Sequence, residues 1–441
     1  MRLKLHWQIL IALALAVLAG VLSGARAEVF GIRYIAIYAF IGTLFLNALK
    51  MLIVPLVMSS IITGIAGIGS GSDLGRLGGK TIIYYLTTSL LAILVGLILV
   101  NLFTPGILNG QPAREVIGTL DQGVVSDVLS RVEGKGASDL AGIILQLFPP
   151  NLLSAASNNG QLLGLIVFSL FFGFFITRIS EPYADTMYRF WQGVFEVMMH
   201  ITNLIIRFAP IGVFGLVAKV VAETDIDHLD ELAQTVGLFF LTVVAALAIH
   251  FFITLPVLLR VVARVNPWRH YKAMAPALLT AFSTSSSAAT LPVTLECVEQ
   301  NAGVSTRTSS IVLPLGATVN MDGTALYECV AAMFIAQAYG LELTFATQFF
   351  VVLIALLTSI GVAAVPSASL VAITIILASI GLPVEGIAMI MVVDRVLDMF
   401  RTAVNVFSDS CGAVVIGRLE GESNILQATP DDDGGVKPVR A

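Results

Sequence analysis

The chain has 441 residues, 57% of them hydrophobic and only 12% charged, with a mean hydropathy of +0.92. A soluble domain carries about 25% charge, so this composition excludes an ordinary soluble enzyme and a disordered chain alike. The net charge of −5 offers no basic face for nucleic acid, and three scattered cysteines (Cys297, Cys329, Cys411) read as small buried hydrophobes, not as a metal site or disulfide framework.

Apolar runs of 18 or more residues recur, the mark of a polytopic helical membrane protein; a barrel would alternate over roughly ten-residue segments instead. The run from Ile9 to Leu22 follows a basic start and reads as a retained first helix, not a cleaved leader. Further spans are expected over 35–67, 80–103, 140–179, 186–221 and 234–262, with a polar external loop at 104–138 and a disordered tail at 427–441. Basic connections hold Arg76 and Lys80, then Arg178 and Arg189, then Arg260, Arg264, Arg269 and Lys272. The stretch from Glu223 to Glu231 is acidic, with no Lys or Arg. By the positive-inside rule the basic loops face the cytoplasm, and an even number of spans leaves both termini there.

Two later segments are too polar at their centres to span simply. Residues 273–301 contain Ser283, Thr284, Ser285, Ser286 and Ser287; residues 345–383 contain Pro366-Ser367-Ala368-Ser369. Each flanking arm is about half a bilayer long, so both segments read as re-entrant helical hairpins with polar tips inside the membrane. Two such hairpins, each followed by a helix with intramembrane charge, suggest an internally repeated binding core.

The last helix carries the chemistry. Asp394, Asp398, Arg401, Thr402, Asn405 and Asp409 fall within an arc of roughly 100° on a helix of 3.6 residues per turn. Intramembrane charges cost a few kcal/mol each, so such a stripe needs partners. Arg401 suits a carboxylate, Asp398 an ammonium, and Asn405 either, a set complementary to an amino acid with an acidic side chain. Asp394 and Asp409 stand further along the helix and are expected to serve hard cations. The preceding helix is interrupted at Gly316-Ala317-Thr318-Val319-Asn320-Met321-Asp322-Gly323-Thr324, where freed carbonyls and carboxylates fit a sodium-sized cage. Glu328 follows one turn later; desolvation disfavours its charged form, making it a candidate proton carrier, unless it pairs with an arginine such as Arg395. A direct Asp398–Arg401 lock in dry packing would contradict this account of the stripe.

Three motifs together, Asn320-Met321-Asp322-Gly323-Thr324, the serine-rich hairpin ending in Thr290-Leu291-Pro292, and Asp398-Met399-Phe400-Arg401-Thr402-Ala403-Val404-Asn405, resemble the dicarboxylate/amino acid:cation symporter family, which includes the excitatory amino acid transporters and archaeal sodium–aspartate transporters. The resemblance implies an all-α membrane protein with eight transmembrane helices, two re-entrant hairpins, and a homotrimer working by an elevator motion. It divides the chain into scaffold helices at 1–79, a transport-core helix at 80–103, an external loop and further scaffold helices at 104–233, the main transport core at 234–426, and a cytoplasmic tail at 427–441. Substrate contacts carried over are Ser286, Ser287, Met321, Thr324, Val365, Ser369, Asp398, Arg401, Thr402 and Asn405. One implied sodium site uses carbonyls of Gly316 and Asn320 with Asn405 and Asp409; a second uses Thr318, Ser359, Ile360 and Val362; a third uses Tyr85, Thr88, Ser89, Asn320 and Asp322.

Asp409 stands where proton-only members carry an amide, and Glu328 matches the glutamate of proton-coupled members. Ser285 and Met399 stand where family branches place an arginine, which leaves open whether Arg395 supplies that charge; Ser369 replaces a glycine. The expected activity is therefore sodium-coupled, proton-assisted uptake of glutamate or aspartate across the cell membrane, with no cofactor beyond the coupling ions. A C4-dicarboxylate carrier is the runner-up, but it would leave Asp398 unpaired. An intramembrane hydrolase is disfavoured because His6, His200, His228, His250 and His270 all lie outside the motif segments and no lysine enters the core.

Overall fold

The computed structural model describes residues 5–67, 72–113, 148–157, 162–224, 229–341, 343–361 and 368–427. Among these the chain is helical, apart from two short antiparallel ribbons. β1 (Glu28–Val29) pairs with β2 (Ile32–Arg33), and β3 (Ile107–Leu108) with β4 (Gln111–Pro112). The second ribbon turns at Asn109-Gly110, both at positive φ, the backbone that a two-residue hairpin loop requires.

Three described helices are long and apolar enough to cross a membrane: Tyr34–Ala66, Arg76–Phe103 and Leu229–Val261. They correspond to α2 (Tyr34–Ala66), to α3 (Ser72–Phe103), and to α8 (Leu229–Ile249) continued through a π-helical turn, His250–Thr254, into α9 (Leu255–Val261). Pro256 explains the turn: two residues beyond it, a proline has no N–H to donate to the regular ladder, and the wider turn absorbs the mismatch. α1 (Leu5–Ser23) matches the expected first helix.

The span expected over 186–221 is not one continuous helix. It is two helices, α6 (Glu181–Arg207) and α7 (Ala209–Glu223), bent by 55°. Pro210 causes the break, since its ring blocks continuation but suits the first turn of a new helix. Of the span expected over 140–179, the described residues contain α4 (Leu152–Ser157) and α5 (Leu162–Ile176). Residues 114–138 of the expected loop, and all but the first residue of the expected tail, lie outside the described residues.

Helices α1, α2, α5, α6 and α7 pack with one another. The α2–α7 crossing is close because two glycines face it: a Cβ on Gly215 would sit 2.8 Å from the Gly42 nitrogen. Small residues at a crossing let membrane helices approach without a hydrophobic driving force. A second set gathers around the C-terminal helices. It comprises α3, α8, α10 (Pro267–Thr284), α11 (Ser287–Glu296), α12 (Thr306–Val319), α13 (Asp322–Ala338), α14 (Phe345–Gly361), α15 (Ala368–Ile380) and α16 (Ile387–Leu419). α13 is buried along nearly its whole length, and α16 runs beside it.

Both half-span arms predicted at 273–301 and 345–383 form helix pairs. The first turns at Ser285, held at φ 51°, and Ser286 then caps α11 by accepting from the Ala289 N–H at 3.2 Å. The second runs from α14 to α15; its tip, 362–367, lies outside the described residues.

A clasp closes the end of the core where α3 begins and α16 stops. Arg76 and Lys80 both meet Glu420 at 2.7 Å. Glu422 accepts from the Ser305 N–H at 2.9 Å and from the Ser305 and Thr308 hydroxyls at 2.6 Å each, capping α12 from outside its own helix. The Lys80 hydrogen bond, helped by Arg76, holds the Glu420 carboxyl below its ordinary range. Burial works to raise that of Glu422, but the Ser305 and Thr308 hydrogen bonds prevail and it too is lowered.

Candidate functional site

The site is built on one interruption. α12 ends at Val319 and α13 begins at Asp322, so the break anticipated over Gly316–Thr324 is confined to Asn320 and Met321. Both residues leave helical geometry, with ψ of 97° and 56°. α16 crosses this gap and presents its polar stripe to it.

On one side lies a dense oxygen cluster. Ser89 donates to Asp322 Oδ1 at 2.6 Å and Thr88 to the same oxygen at 3.3 Å. Thr88 also donates to Asn320 Oδ1 at 3.4 Å. Asn320 Nδ2 reaches Asp409 Oδ1 at 2.9 Å and Ser408 Oγ at 3.0 Å, while Ser408 donates to Asp322 Oδ2 at 2.6 Å. Tyr85 donates to the Val312 carbonyl at 2.7 Å. Gly316 admits this packing, because a Cβ there would stand 2.5 Å from Asp409 Oδ1 and 2.6 Å from the Tyr85 hydroxyl. Asn320, Asp322 and Asp409 are buried. Two buried carboxylates with hydroxyls and amides around them make a hard, oxygen-rich environment suited to small cations.

On the other side Asn405 Oδ1 accepts from the Gly323 N–H at 2.8 Å, and its Nδ2 reaches Thr324 Oγ1 and Met321 Sδ, each at 3.1 Å. Thr402 donates back to the Asp398 carbonyl at 2.8 Å. Arg401 sits over the Tyr327 ring at 4.0 Å and donates to Ser369 Oγ at 2.8 Å, joining α16 to the start of α15. Its other nitrogen meets Asp398 at 3.0 Å and Asp394 at 3.2 Å. Arg395 meets the second oxygen of Asp398 at 3.1 Å.

Asp398 and Arg401 therefore do pair directly. The pair is not fully sealed: the Asp398 side chain keeps 15% exposure, with Arg401 on one oxygen and Arg395 on the other. The expectation that Asp394 serves a cation is corrected, since its nearest charge is the Arg401 guanidinium. Glu328 is fully buried and accepts from Thr358 Oγ1 at 3.0 Å; its other oxygen has no hydrogen-bond partner among the described residues. Arg395 is on Asp398, so the Glu328–Arg395 pairing weighed from the sequence is replaced by the Thr358 contact.

The expected substrate and sodium residues thus divide. Met321, Thr324, Ser369, Asp398, Arg401, Thr402 and Asn405 converge on α16, and Tyr85, Thr88, Ser89, Gly316, Asn320, Asp322 and Asp409 on the oxygen cluster. Ser287 is buried at the first hairpin tip beside the capping Ser286, and no hydrogen bond links either to α16 among the described residues; Phe282 and Phe400, 5.2 Å apart edge to face, bring that hairpin against it. Ser359 is buried and donates to its own helix at 2.9 Å. Val362 and Val365 lie outside the described residues, as do the side chains of Thr318 and Ile360.

Three residues escaped the sequence reading. His250, in the π-turn, stands 3.1 Å from Asp322 Oδ2, which corrects the statement that every histidine lies away from the motifs. His270 likewise stands 2.9 Å from Ser410 Oγ on α16. A lone ionisable residue within the apolar run Leu247–Leu255 was the available signal. Ser408 falls about 20° beyond the edge of the polar arc, by 100° per residue.

A bundle of apolar helices with a broken helix and a buried charge cluster at the break has the features of a membrane solute transporter. The sequence model of the sodium:dicarboxylate symporter family matches residues 5–419, and the chain belongs to that family. Similar proteins include excitatory amino acid transporter 3 of Mus musculus, 35% identical over 95% of this chain and 86% of that protein. The proton/sodium-glutamate symport protein of Geobacillus stearothermophilus is 36% identical over 96% of both chains. The proton/glutamate-aspartate symporter of Escherichia coli (strain K12) is 35% identical over 95% of this chain and 93% of its own. The family consists of transporters, which removes the hydrolase reading.

Proposed function

We propose that the chain is a secondary active symporter that couples inward sodium flux, with a proton, to uptake of glutamate or aspartate. The observation that carries this is the pairing on α16 of a partly exposed Asp398 with a fully buried Arg401, one turn apart and beside the oxygen cluster of Asn320, Asp322 and Asp409. An acidic amino acid satisfies both groups at once, its ammonium on Asp398 and its side-chain carboxylate on Arg401. Sodium at the carboxylates of Asp322 and Asp409 offsets charge that is otherwise costly at this depth. The names of the similar proteins support the same substrate and ions.

The finer architecture is part of the proposal. Eight spans with two hairpins assemble as a homotrimer in the cell membrane, both termini cytoplasmic. The α1–α2–α5–α6–α7 group serves as the fixed scaffold; the second helix group moves against it as an elevator, with the second hairpin as the external gate. Segregation of the packing contacts into these two groups supports that division. Ser286, Ser287, Val365 and Ser369 complete the substrate site from the hairpin tips, and Glu328 carries the proton.

The test is a substrate panel in liposomes: glutamate, aspartate, succinate and serine, each with and without external sodium. Accumulation of acidic amino acids that requires sodium is the expected outcome. Uptake unchanged when choline replaces sodium refutes the coupling, and preference for succinate refutes the role of Asp398.

A further inference from the structure

We infer that Arg395 is a displaceable counter-charge that occupies the ammonium seat of Asp398 whenever the carrier is empty. This rests on the acidic amino-acid reading of the site above. Asp398 holds two guanidiniums, Arg401 on Oδ1 at 3.0 Å and Arg395 on Oδ2 at 3.1 Å. The two are held very differently. Arg401 is 1% exposed and tied to Asp394, Asp398, Ser369 and the Tyr327 ring. Arg395 is 18% exposed, has Asp398 as its ion-pair partner, and its buried Nε finds no hydrogen bond among the described residues. A ligand ammonium arriving at Asp398 therefore displaces Arg395, which can swing to water, and not Arg401, which cannot.

The charge count gives the pair its purpose. Asp394, Asp398, Arg395 and Arg401 sum to zero within two turns of α16. Without Arg395 these four groups lose their balance by one negative charge, and an uncompensated charge at membrane depth costs a few kcal/mol. With substrate bound, the ammonium replaces Arg395 on Asp398, and the substrate's carboxylates fall to Arg401 and the coupling cations. Arg395 thus competes with substrate for Asp398, yet it spares the empty core an uncompensated carboxylate at that position. Binding and return are set against each other by one side chain.

The experiment compares two rates in liposomes, homoexchange of labelled aspartate, in which the carrier never travels empty, and net uptake, in which it must. Arg395→Met keeps the length and removes the charge; Arg395→Lys keeps the charge. In Arg395→Met, substrate half-saturation is expected to fall about fivefold, the scale of one partly exposed ion pair. Exchange persists while net uptake drops, and Arg395→Lys restores the wild-type ratio. An Arg395→Met carrier with unchanged affinity and an unchanged exchange-to-uptake ratio overturns the inference, as does weaker binding, which would make Arg395 a substrate ligand. Wild-type protein with aspartate bound gives a readout free of folding defects: an Arg395–Asp398 separation beyond salt-bridge distance is expected, and retention of the 3.1 Å contact overturns the idea. If the wild type moves no acidic amino acid at all, the functional reading falls first; if it does and Arg395→Met behaves like it, only this inference falls.

Discussion

Ser408→Ala isolates the part played by a residue that is no cation ligand itself. Ser408 donates to Asp322 Oδ2 at 2.6 Å and accepts from Asn320 Nδ2 at 3.0 Å, fastening a residue of the break to the first residue of α13 within the oxygen cluster. Alanine fits the same space and removes both bonds. Asp322 Oδ2 is then left with His250, and Asn320 Nδ2 with Asp409. A hydrogen bond to a charged group contributes about 1.5–3 kcal/mol, and losing a partner that orients a metal ligand lowers affinity about 10–100-fold. The sodium concentration giving half-maximal aspartate uptake should rise by that factor, with aspartate affinity at saturating sodium little changed. Thermal unfolding with and without sodium separates this from general destabilisation, because bound sodium stabilises in proportion to its affinity. A half-saturating sodium concentration within about twofold of wild type, against the 10–100-fold expected for an orienting partner, would refute the reasoning.

Arg401→Ala leaves Asp394 without its guanidinium and Asp398 with Arg395 alone. Removing one partner of a buried charge pair costs about 2–5 kcal/mol, so acidic amino-acid uptake should vanish, and retained affinity would end the assigned role. Glu328→Gln keeps the acceptor for Thr358 but removes the titrating group; uptake should lose its pH dependence and internal acidification, and an unaltered pH profile would mean the proton travels elsewhere. The clasp predicts its own acid response. The Glu420 and Glu422 carboxyls are both lowered in the folded chain, so their contribution is complete above the ordinary glutamate value of 4.5 and is lost as pH falls through the lowered values. Hydrogen exchange at 420–427 should accelerate only in that acidic range, and Glu422→Gln should accelerate it at neutral pH.

The face of α16 was legible because helical periodicity alone places Asp394 through Asp409 on one stripe. What that face meets was not. Asp394 was misread because separation along the axis was taken as separation between side chains. Helical side chains lean toward the N-terminus, and Arg401 lies back over Asp398 and Asp394 together. His250 approaches from α8, more than seventy residues before Asp322, and no spacing rule links two elements that meet only in the folded core. The bend at Pro210 carried a plain local signal, overridden in the reading by continuous hydrophobicity. The break at Asn320-Met321, by contrast, was spelled out locally by glycine, asparagine and aspartate, and the structure narrowed it to two residues.

That narrowness has a consequence of its own. Across two residues, the carbonyl end of α12 confronts the amide end of α13, so poles of opposite sign stand within one short gap in the middle of the protein. An unbroken helix would cancel these poles internally and offer neither. By sign alone the carbonyl end favours a cation and the amide end an anion. A single interruption thereby sets two opposite electrostatic preferences within the same few ångströms of backbone.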